Sequence, residues 1–107
     1  MCIRDSLRIG YGYDVHQLAE GEEFWLGGIR IPSDIGAVGH SDADVLLHAI
    51  TDALLGAAGL GDIGDLFPDT DPANQDRDSA DMLRVAYGKV VSAGFHVVNL
   101  DLSLIHI

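Results

Sequence analysis

The sequence is poor in cysteine and in long apolar runs, and both shortages restrict what the protein can be. Cys2 is the only cysteine among 107 residues, so the chain can form neither an internal disulfide nor a cysteine-rich zinc finger. No apolar run approaches the roughly 20 residues of a membrane-spanning helix, and the N-terminus has no signal-peptide or transit-peptide pattern. We therefore expect a single-domain protein of the cytoplasm, with no membrane as partner.

Basic residues are also scarce. The chain has six Lys and Arg against 17 Asp and Glu, which gives a formal net charge of −11. This charge argues against nucleic acid or an anionic membrane surface as a partner. It also implies that a phosphorylated substrate needs a local cation, although repulsion from distant carboxylates is largely screened beyond a Debye length of about 8 Å.

Familiar nucleotide-binding and calcium-binding motifs are absent as well. The sequence contains no P-loop, no G-x-G-x-x-G dinucleotide fingerprint and no nucleophile elbow. The aspartates between residues 62 and 71 do not follow the EF-hand spacing, because the glycine at the sixth position and the closing glutamate are missing. These absences argue against a calcium loop.

The N-terminal part of the chain has the pattern of β-structure. Residues 7–16 alternate strictly between two faces, which predicts a half-buried strand. Residues 24–26 and 29–31 flank a Gly-Gly pair, which predicts a short hairpin closed by Pro32. Residues 33–40 are predicted to form a glycine-containing loop.

The first predicted helix covers residues 41–59. Ser41 is its predicted N-cap, and Asp44 follows three residues later. Its predicted apolar stripe is formed by Leu46, Ala49, Ile50, Ala53, Leu54 and Ala57.

A second helix is predicted from a cap at Asp78 or Ser79 to a stop at Gly94. Between the helices, the composition of residues 61–72 predicts a surface loop with at most one helical turn. The apolar residues of the second helix are predicted to point mostly inward, and they are Met82, Leu83, Val85, Ala86, Val90 and Val91. With a final strand at residues 97–107, the pattern predicts an α/β fold, an α+β-like sandwich with helices packed on one face of a mixed sheet.

A candidate metal site lies on the first predicted strand and the first predicted helix. Asp14 and His16 are two residues apart, so both side chains point the same way, and Gly10 and Gly12 leave that face open. His48 can supply a third ligand, and two histidines with one carboxylate and an open position are typical of catalytic zinc. The D-x-H spacing also occurs by chance, and a strand histidine is more often a hydrogen-bonded structural residue.

Two aspartates flank His48 at four-residue intervals on the predicted helix. One hypothesis is that Asp44 or Asp52 accepts a hydrogen bond that fixes the tautomer of His48. The alternative is that Asp44 complements the helix dipole and that Asp52 is a solvated helix residue.

The start of the same helix is a candidate anion site. His40 and Ser41 lead into a helix N-terminus, where unpaired backbone N–H groups can hold a phosphate. The alternative is a plain N-cap, which the local sequence favours.

Four segments resemble the 2-C-methyl-D-erythritol 2,4-cyclodiphosphate synthase family. They are GYGYDVH, GGIRIP, GHSDADVLLHAITDALLGAAGLGDIGDLFPDTDP and DSADMLRVAY. The resemblance is colinear from residue 7 or 8 to residue 101 and is most particular between residues 40 and 72. It implies one zinc ion per subunit at Asp14, His16 and His48, and a homotrimer with sites between neighbouring subunits.

The resemblance also implies a reaction. The substrate would be 4-diphosphocytidyl-2-C-methyl-D-erythritol 2-phosphate, whose 2-phosphate attacks the β-phosphate and releases CMP, a lyase reaction of non-mevalonate isoprenoid biosynthesis in a bacterial-type cytoplasm. A second ion, magnesium or manganese, would bridge the α- and β-phosphates. The implied substrate-binding residues are His40 and Ser41, which are also the implied catalytic residues, Asp62 and Gly64 near the ribose, and Asp69 near the methylerythritol hydroxyls.

Two parts of the family pattern do not appear in the sequence. They are a Pro-Lys/Arg segment that holds cytosine and a Thr-Thr-acid motif that contacts phosphates and magnesium. We therefore expect a truncated synthase domain at residues 7–101, non-native ends at residues 1–6 and 102–107, and little or no activity of this chain alone. The alternative is a non-catalytic metal-binding or interaction module that keeps the zinc triad. A reading frame that continues into the missing motifs would favour the enzyme, and a stop codon after Ile107 would favour the module.

Overall fold

The computed structural model of the protein describes residues 7–39, 42–68 and 78–105. These residues contain short strands and helices in the order β1 (Leu18–Glu20), β2 (Phe24–Leu26), β3 (Ile29–Ile31), β4 (Ile35–Ala37), α1 (Val45–Ala57), α2 (Ile63–Leu66) and α3 (Ser79–Ser92). The strands form antiparallel pairs, and the predicted mixture of strands and helices is confirmed. No helix within the described ranges has the length and apolar character needed to cross a membrane.

The predicted hairpin is confirmed. Strands β2 and β3 pair so that Phe24 lies opposite Ile31. Gly27 and Gly28 form the turn with φ values of 62° and 83°. A two-residue turn with both central residues in the left-handed region suits glycine, which has no Cβ to clash.

Strand β4 lies inside residues 33–40, which were predicted to form a loop, so that prediction is wrong for Ile35–Ala37. Strand β4 pairs with β1. A Cβ at Gly36 would lie 2.2 Å from the carbonyl oxygen of Glu23. Glycine is needed for this close backbone approach, and its low strand propensity hides the strand in the sequence.

Residues 7–16 do not form a strand, so the predicted strand is wrong. The side chains nevertheless alternate in burial, since Asp14 and His16 are half-buried, whereas Tyr13 is 68% exposed. The inward side is the glycine side, which lies against α1, because a Cβ at Gly12 would be 1.8 Å from the carbonyl oxygen of Ala49. The face beside the glycines is therefore covered by α1, not open as predicted, and no backbone hydrogen bond in the described part of the chain pairs this segment with a strand.

The final predicted strand is wrong for residues 97–105, and residues 106–107 lie outside the described ranges. Val98 and Leu100 are exposed, and the backbone N–H of Val97 donates to the Tyr87 hydroxyl at 3.3 Å. Apolar alternation without a hydrogen-bonded neighbour does not make a strand.

Helix α1 begins later than predicted. Its N-cap is Asp44, whose carboxylate accepts from the backbone N–H of Leu47, so the prediction of Ser41 as N-cap is wrong. Ala43 has a φ of 54°, which interrupts a helix that would otherwise extend towards Ser41. Helix α3 has its N-cap at Asp78, one of the two predicted caps, and α2 is the single helical turn expected after residue 61.

The core lies between α1 and α3. Leu55 packs there with Ala86 and Val90, and all three are buried. The most buried stripe of α1 differs from the predicted one because α3 packs against it. The glycine side of residues 7–16 covers Ala49, Ala53 and Ala57 of the predicted stripe, which are half-buried. The buried residues of α1 are Leu47, Ile50, Thr51 and Leu55. On α3, Met82, Ala86 and Val90 are buried as predicted, whereas Val85 and Val91 are exposed.

Candidate metal centre

The structure brings Asp14, His16 and His48 together. The Oδ2 atom of Asp14 lies 3.1 Å from Nδ1 of His16 and 3.2 Å from Nδ1 of His48. One ligand atom from each residue can be chosen so that all three lie within 4.8 Å of one another, and all three side chains are half-buried. The predicted proximity of these residues is confirmed.

A close backbone contact sets the spacing of this site. Gly12 lies against the carbonyl oxygen of Ala49, Asp14 is two residues beyond Gly12, and His48 precedes Ala49 in α1. Alternation then turns Asp14 and His16 inward with Gly12. Because Gly12 has no Cβ, the backbone of its segment can lie against the backbone of α1. The ligands Asp14 and His48, which are distant in sequence, can therefore meet.

The donor set fits a divalent metal ion. Ligand bonds of about 2.0–2.1 Å around a tetrahedral zinc place the ligand atoms about 3.4 Å apart, and the Asp–His separations are close to this value. The Nδ1 atom of His16 is buried, and no described residue makes a directed hydrogen bond to it, although Asp14 lies 3.1 Å away. A buried imidazole nitrogen beside a carboxylate, without a directed hydrogen bond, is suited to coordination.

The carboxyl group of Asp14 has a shifted pKa. Burial raises the pKa of this group, but the contacts with His16 and His48 outweigh burial and lower it from 3.8 to about 2. A metal ligand must be deprotonated, so the shift favours binding. Because the pKa of Asp14 is lower in the folded protein, its ionised carboxylate stabilises the fold above pH 3.8, and this stabilisation is lost as the pH falls through about 2.

The second ring nitrogen of His48 contacts α3. Its Nε2 atom lies 2.7 Å from the hydroxyl oxygen of Ser79. The Ser79 hydroxyl in turn donates to Oδ1 of Asp42, and the Ser79 backbone N–H donates to Oδ2 of Asp42 at 3.1 Å. The contact at Nε2 of His48 is therefore Ser79, backed by Asp42, and the contact at Nδ1 is Asp14. The prediction that Asp44 or Asp52 fixes the His48 tautomer is wrong, because their carboxylates accept from backbone N–H groups instead.

Asp44 has a different role, at the helix N-terminus. Its side chain is fully buried and accepts from the backbone N–H groups of Gly27 at 3.0 Å, Gly28 at 2.7 Å and Leu47 at 3.1 Å. This agrees with the alternative prediction that Asp44 interacts with the N-terminus of α1. Asp44 also joins the hairpin turn to the helix.

Asp52 joins α1 to α2. Its Oδ1 atom accepts from the backbone N–H of Ile63 at 2.7 Å, so it is not simply a solvated residue. Burial raises the pKa of Asp52, and the hydrogen bond from Ile63 opposes that shift. Because Asp52 is one turn beyond His48, α2 is held near the metal centre.

The remaining predicted site residues fall into two groups. Asp62 is the N-cap of α2, where its carboxylate and that of Asp65 form a reciprocal capping box. Asp62 and Gly64 are both exposed. His40, Ser41 and Asp69 lie outside the described residues.

Sequence reasoning missed Asp42 and Ser79 as parts of the site. The sequence pattern indicates Ser79 only as a candidate helix cap and assigns no role to Asp42. They are 37 residues apart, and no local spacing links them to His48. The only available signal was that both lie within the segments that carry the family resemblance.

The comparisons with known proteins point to one family. The model of the YgbB family matches residues 7–106. The chain is 61% identical over 98 residues to the 2-C-methyl-D-erythritol 2,4-cyclodiphosphate synthase of Azoarcus sp. (strain BH72), covering 92% of this chain and 60% of the relative. It is 60% identical over 100 residues to the synthase of Neisseria gonorrhoeae (strain ATCC 700825 / FA 1090), covering 94% of this chain and 62% of the relative.

Solved structures of synthases from the same family also align with this chain. A structure of 2C-methyl-D-erythritol-2,4-cyclodiphosphate synthase aligns with a TM-score of 0.77 and 56% identity, covering 81% of this chain and 58% of that chain. The bifunctional IspDF from Campylobacter jejuni aligns with a TM-score of 0.81 and 48% identity, covering 86% of this chain and 25% of that chain. The chain spans about 60% of the length of these curated relatives. The metal-ready arrangement of Asp14, His16 and His48, the fold and the sequence matches together show that this chain belongs to the YgbB family of 2-C-methyl-D-erythritol 2,4-cyclodiphosphate synthases.

Proposed function

We propose that the protein serves the zinc-dependent cyclisation of 4-diphosphocytidyl-2-C-methyl-D-erythritol 2-phosphate to 2-C-methyl-D-erythritol 2,4-cyclodiphosphate. CMP is the leaving group, and the reaction belongs to isoprenoid biosynthesis. The observation that carries the proposal is the meeting of Asp14, His16 and His48 within 4.8 Å. Family membership supports it, because the relatives bear the name of this synthase.

The chemistry needs alignment and charge neutralisation more than covalent help. In the proposed reaction an oxygen of the 2-phosphate bonds to the β-phosphorus, and the bond from that phosphorus to the bridging oxygen of CMP breaks. Zinc at Asp14, His16 and His48 would supply Lewis acidity and a positive charge for the diphosphate. The two histidines and the ionised Asp14 hold that charge at a fixed place, which is the contribution of this chain.

A local cation also reconciles a phosphorylated substrate with the net charge of −11. At an effective dielectric constant near 20, two unit charges 4 Å apart interact by about 4 kcal/mol. Carboxylates farther away than a Debye length of about 8 Å contribute little at physiological salt. A divalent ion that touches the phosphate therefore outweighs the acidic surface.

The other substrate contacts belong to the same proposal. His40 and Ser41 are proposed to contact phosphate, and the resemblance of their segment to the family supports this. Asp62 and Gly64 are proposed to contact the ribose, which is supported by the tie between α1 and α2 through Asp52 and Ile63.

Several further features of the proposal follow from family membership. Asp69 would contact the methylerythritol hydroxyls, and magnesium or manganese would accompany the substrate. The assembly would be a homotrimer in the cytoplasm.

The test measures CMP release from the proposed substrate. We expect little or no release by the 107-residue chain and clear release by the chain extended with the C-terminal segment of the Azoarcus relative. In the extended protein, His48→Ala should abolish release, and His96→Ala, at an exposed histidine outside the triad, should leave it unchanged. Comparable rates with and without the extension would show that the essential residues are misplaced. Zinc binding without release by the extended protein would favour the non-catalytic module.

A further inference from the structure

We propose that Ser79 and Asp42 are positioning residues, which hold the His48 ring with its Nδ1 lone pair directed at the metal. This inference rests on the proposed zinc centre and deepens it, because it assigns the control of one ligand to a different helix. The chain of contacts runs from Asp42 through the Ser79 hydroxyl to Nε2 of His48. Nδ1 of the same ring lies 3.2 Å from Oδ2 of Asp14.

Proton counting gives this chain a direction. A carboxylate can only accept hydrogen bonds, so the single hydroxyl proton of Ser79 is donated to Asp42. The Ser79 oxygen can then only accept from His48, which requires a proton on Nε2. In the metal-free chain Nδ1 lies 3.2 Å from the Asp14 carboxylate, which can also only accept, so the count assigns the tautomer of the zinc-loaded ring. With the proton on Nε2, Nδ1 directs its lone pair at the metal beside Asp14.

Asp42 is itself held in place. Its Oδ2 atom accepts from the Ser79 backbone N–H at 3.1 Å, and its Oδ1 atom also accepts from the Asp44 backbone N–H at 3.2 Å. A carboxylate fixed by backbone donors cannot turn away without leaving those donors unpaired.

Burial makes the arrangement specific. Ser79 is 1% exposed, so water does not readily replace its hydroxyl as the acceptor for His48. Ser79 is also the first residue of α3, whereas His48 lies in α1. The orientation of a ring on α1 is therefore set from α3. Hydrogen-bonded partners of metal-binding histidines fix the tautomer and the ring direction in this way.

The test compares three substitutions in the 107-residue chain. Ser79→Ala removes the hydroxyl, Ser79→Thr restores one, and Asp78→Ala removes the neighbouring cap, whose carboxylate accepts from the Ala80 backbone N–H at 3.0 Å. Zinc affinity is measured by competition with a chromophoric chelator, and thermal unfolding of the metal-free protein shows whether each variant folds. We expect Ser79→Ala to weaken zinc binding by about 10–100-fold.

The two other variants separate positioning from general stability. Asp78→Ala should lower the unfolding temperature, because α3 loses its N-cap, and should leave zinc affinity unchanged. Ser79→Thr should recover most of the affinity lost in Ser79→Ala. A second readout is the ring spectrum of ¹⁵N-histidine in the zinc-loaded wild-type chain, which should show a proton on Nε2 of His48 that exchanges slowly with water.

The outcomes distinguish this inference from the zinc centre beneath it. If Ser79→Ala binds zinc as tightly as the wild type, or no more weakly than Asp78→Ala, the positioning role is wrong and the zinc centre stands. If Ser79→Ala does not fold, a zinc-loaded wild type whose His48 carries its proton on Nδ1 would overturn the inference. If the wild type binds no zinc, or His48→Ala binds it equally well, both proposals fall.

Discussion

Replacing Gly12 by Ala should disrupt the metal centre without removing a ligand. A Cβ at this position would lie 1.8 Å from the carbonyl oxygen of Ala49, 2.8 Å from its carbonyl carbon and 3.0 Å from the backbone nitrogen of Ala53. All three atoms belong to the backbone of α1, so no side-chain rotation can relieve the clash. The segment that carries Asp14 and His16 must move away from His48 instead.

The size of the effect follows from these distances. Non-bonded atoms in good contact are about 3.5 Å apart, so a Cβ placed 1.8 Å from the Ala49 oxygen requires the segment to shift by roughly 1.7 Å. A functional site tolerates displacements of about 0.5 Å. Overpacking of this kind costs about 1–3 kcal/mol. If zinc binding must pull the segment back against that strain, affinity should fall by roughly 5- to 150-fold, since about 1.4 kcal/mol corresponds to a factor of ten.

The assay is zinc competition with a chelator together with thermal unfolding of the metal-free chain. Gly56→Ala is the matched control. Gly56 lies in α1, the helix that Gly12 packs against, and its added Cβ would meet nothing within 4 Å. The control should raise stability by about 0.5–1 kcal/mol and leave zinc affinity unchanged. A Gly12→Ala chain with the stability and zinc affinity of the wild type would refute the packing of residues 7–16 against α1.

Two further predictions concern the aspartates of α1. Asp44→Ala should lower the free energy of unfolding by at least about 3 kcal/mol in a urea titration, because three backbone N–H groups lose their shared buried acceptor. A much smaller loss would contradict the role of Asp44 in joining the hairpin to the helix. Asp52→Asn should raise the unfolding temperature of the metal-free chain at neutral pH, because a raised pKa means that the folded state disfavours the ionised Asp52. That gain should vanish below pH 3.8, where the carboxyl group is protonated in both states, and a gain that does not depend on pH would contradict the burial argument.

Local chemistry made part of the structure predictable. The Gly27-Gly28 turn could be recognised because both residues need positive φ values, and the cap at Asp78 follows from its position before an apolar helix. The meeting of Asp14 and His16 follows from alternation alone. The residue type of His48 made it a candidate third ligand, and the family resemblance assigned it to the site.

Long-range contacts explain the errors. Alternation in residues 7–16 indicated two faces, but the choice of the inward face depends on the contact of Gly12 with α1, which no local pattern contains. Ser41 has a cap signature, yet Asp44 forms the cap because it also binds the hairpin amides.

The tautomer-fixing partner of His48 was beyond sequence reasoning for the same physical reason. Helix periodicity suggested Asp44 and Asp52, which are neighbours along α1. The observed partner, Ser79, comes from α3 and depends on the packing of the two helices. Such side-chain partners depend on how distant segments pack together, and residue spacing within one helix does not reveal them.

The central claim is that Asp14, His16 and His48 form a zinc centre in this chain. The most direct test is elemental analysis of the purified wild-type chain and of His16→Ala, His48→Ala and His96→Ala, each loaded with zinc and then desalted. We predict stoichiometric zinc in the wild type and in His96→Ala, whose exposed histidine lies outside the triad, and loss of zinc in the two triad variants. Unchanged zinc content in both His16→Ala and His48→Ala would contradict the claim.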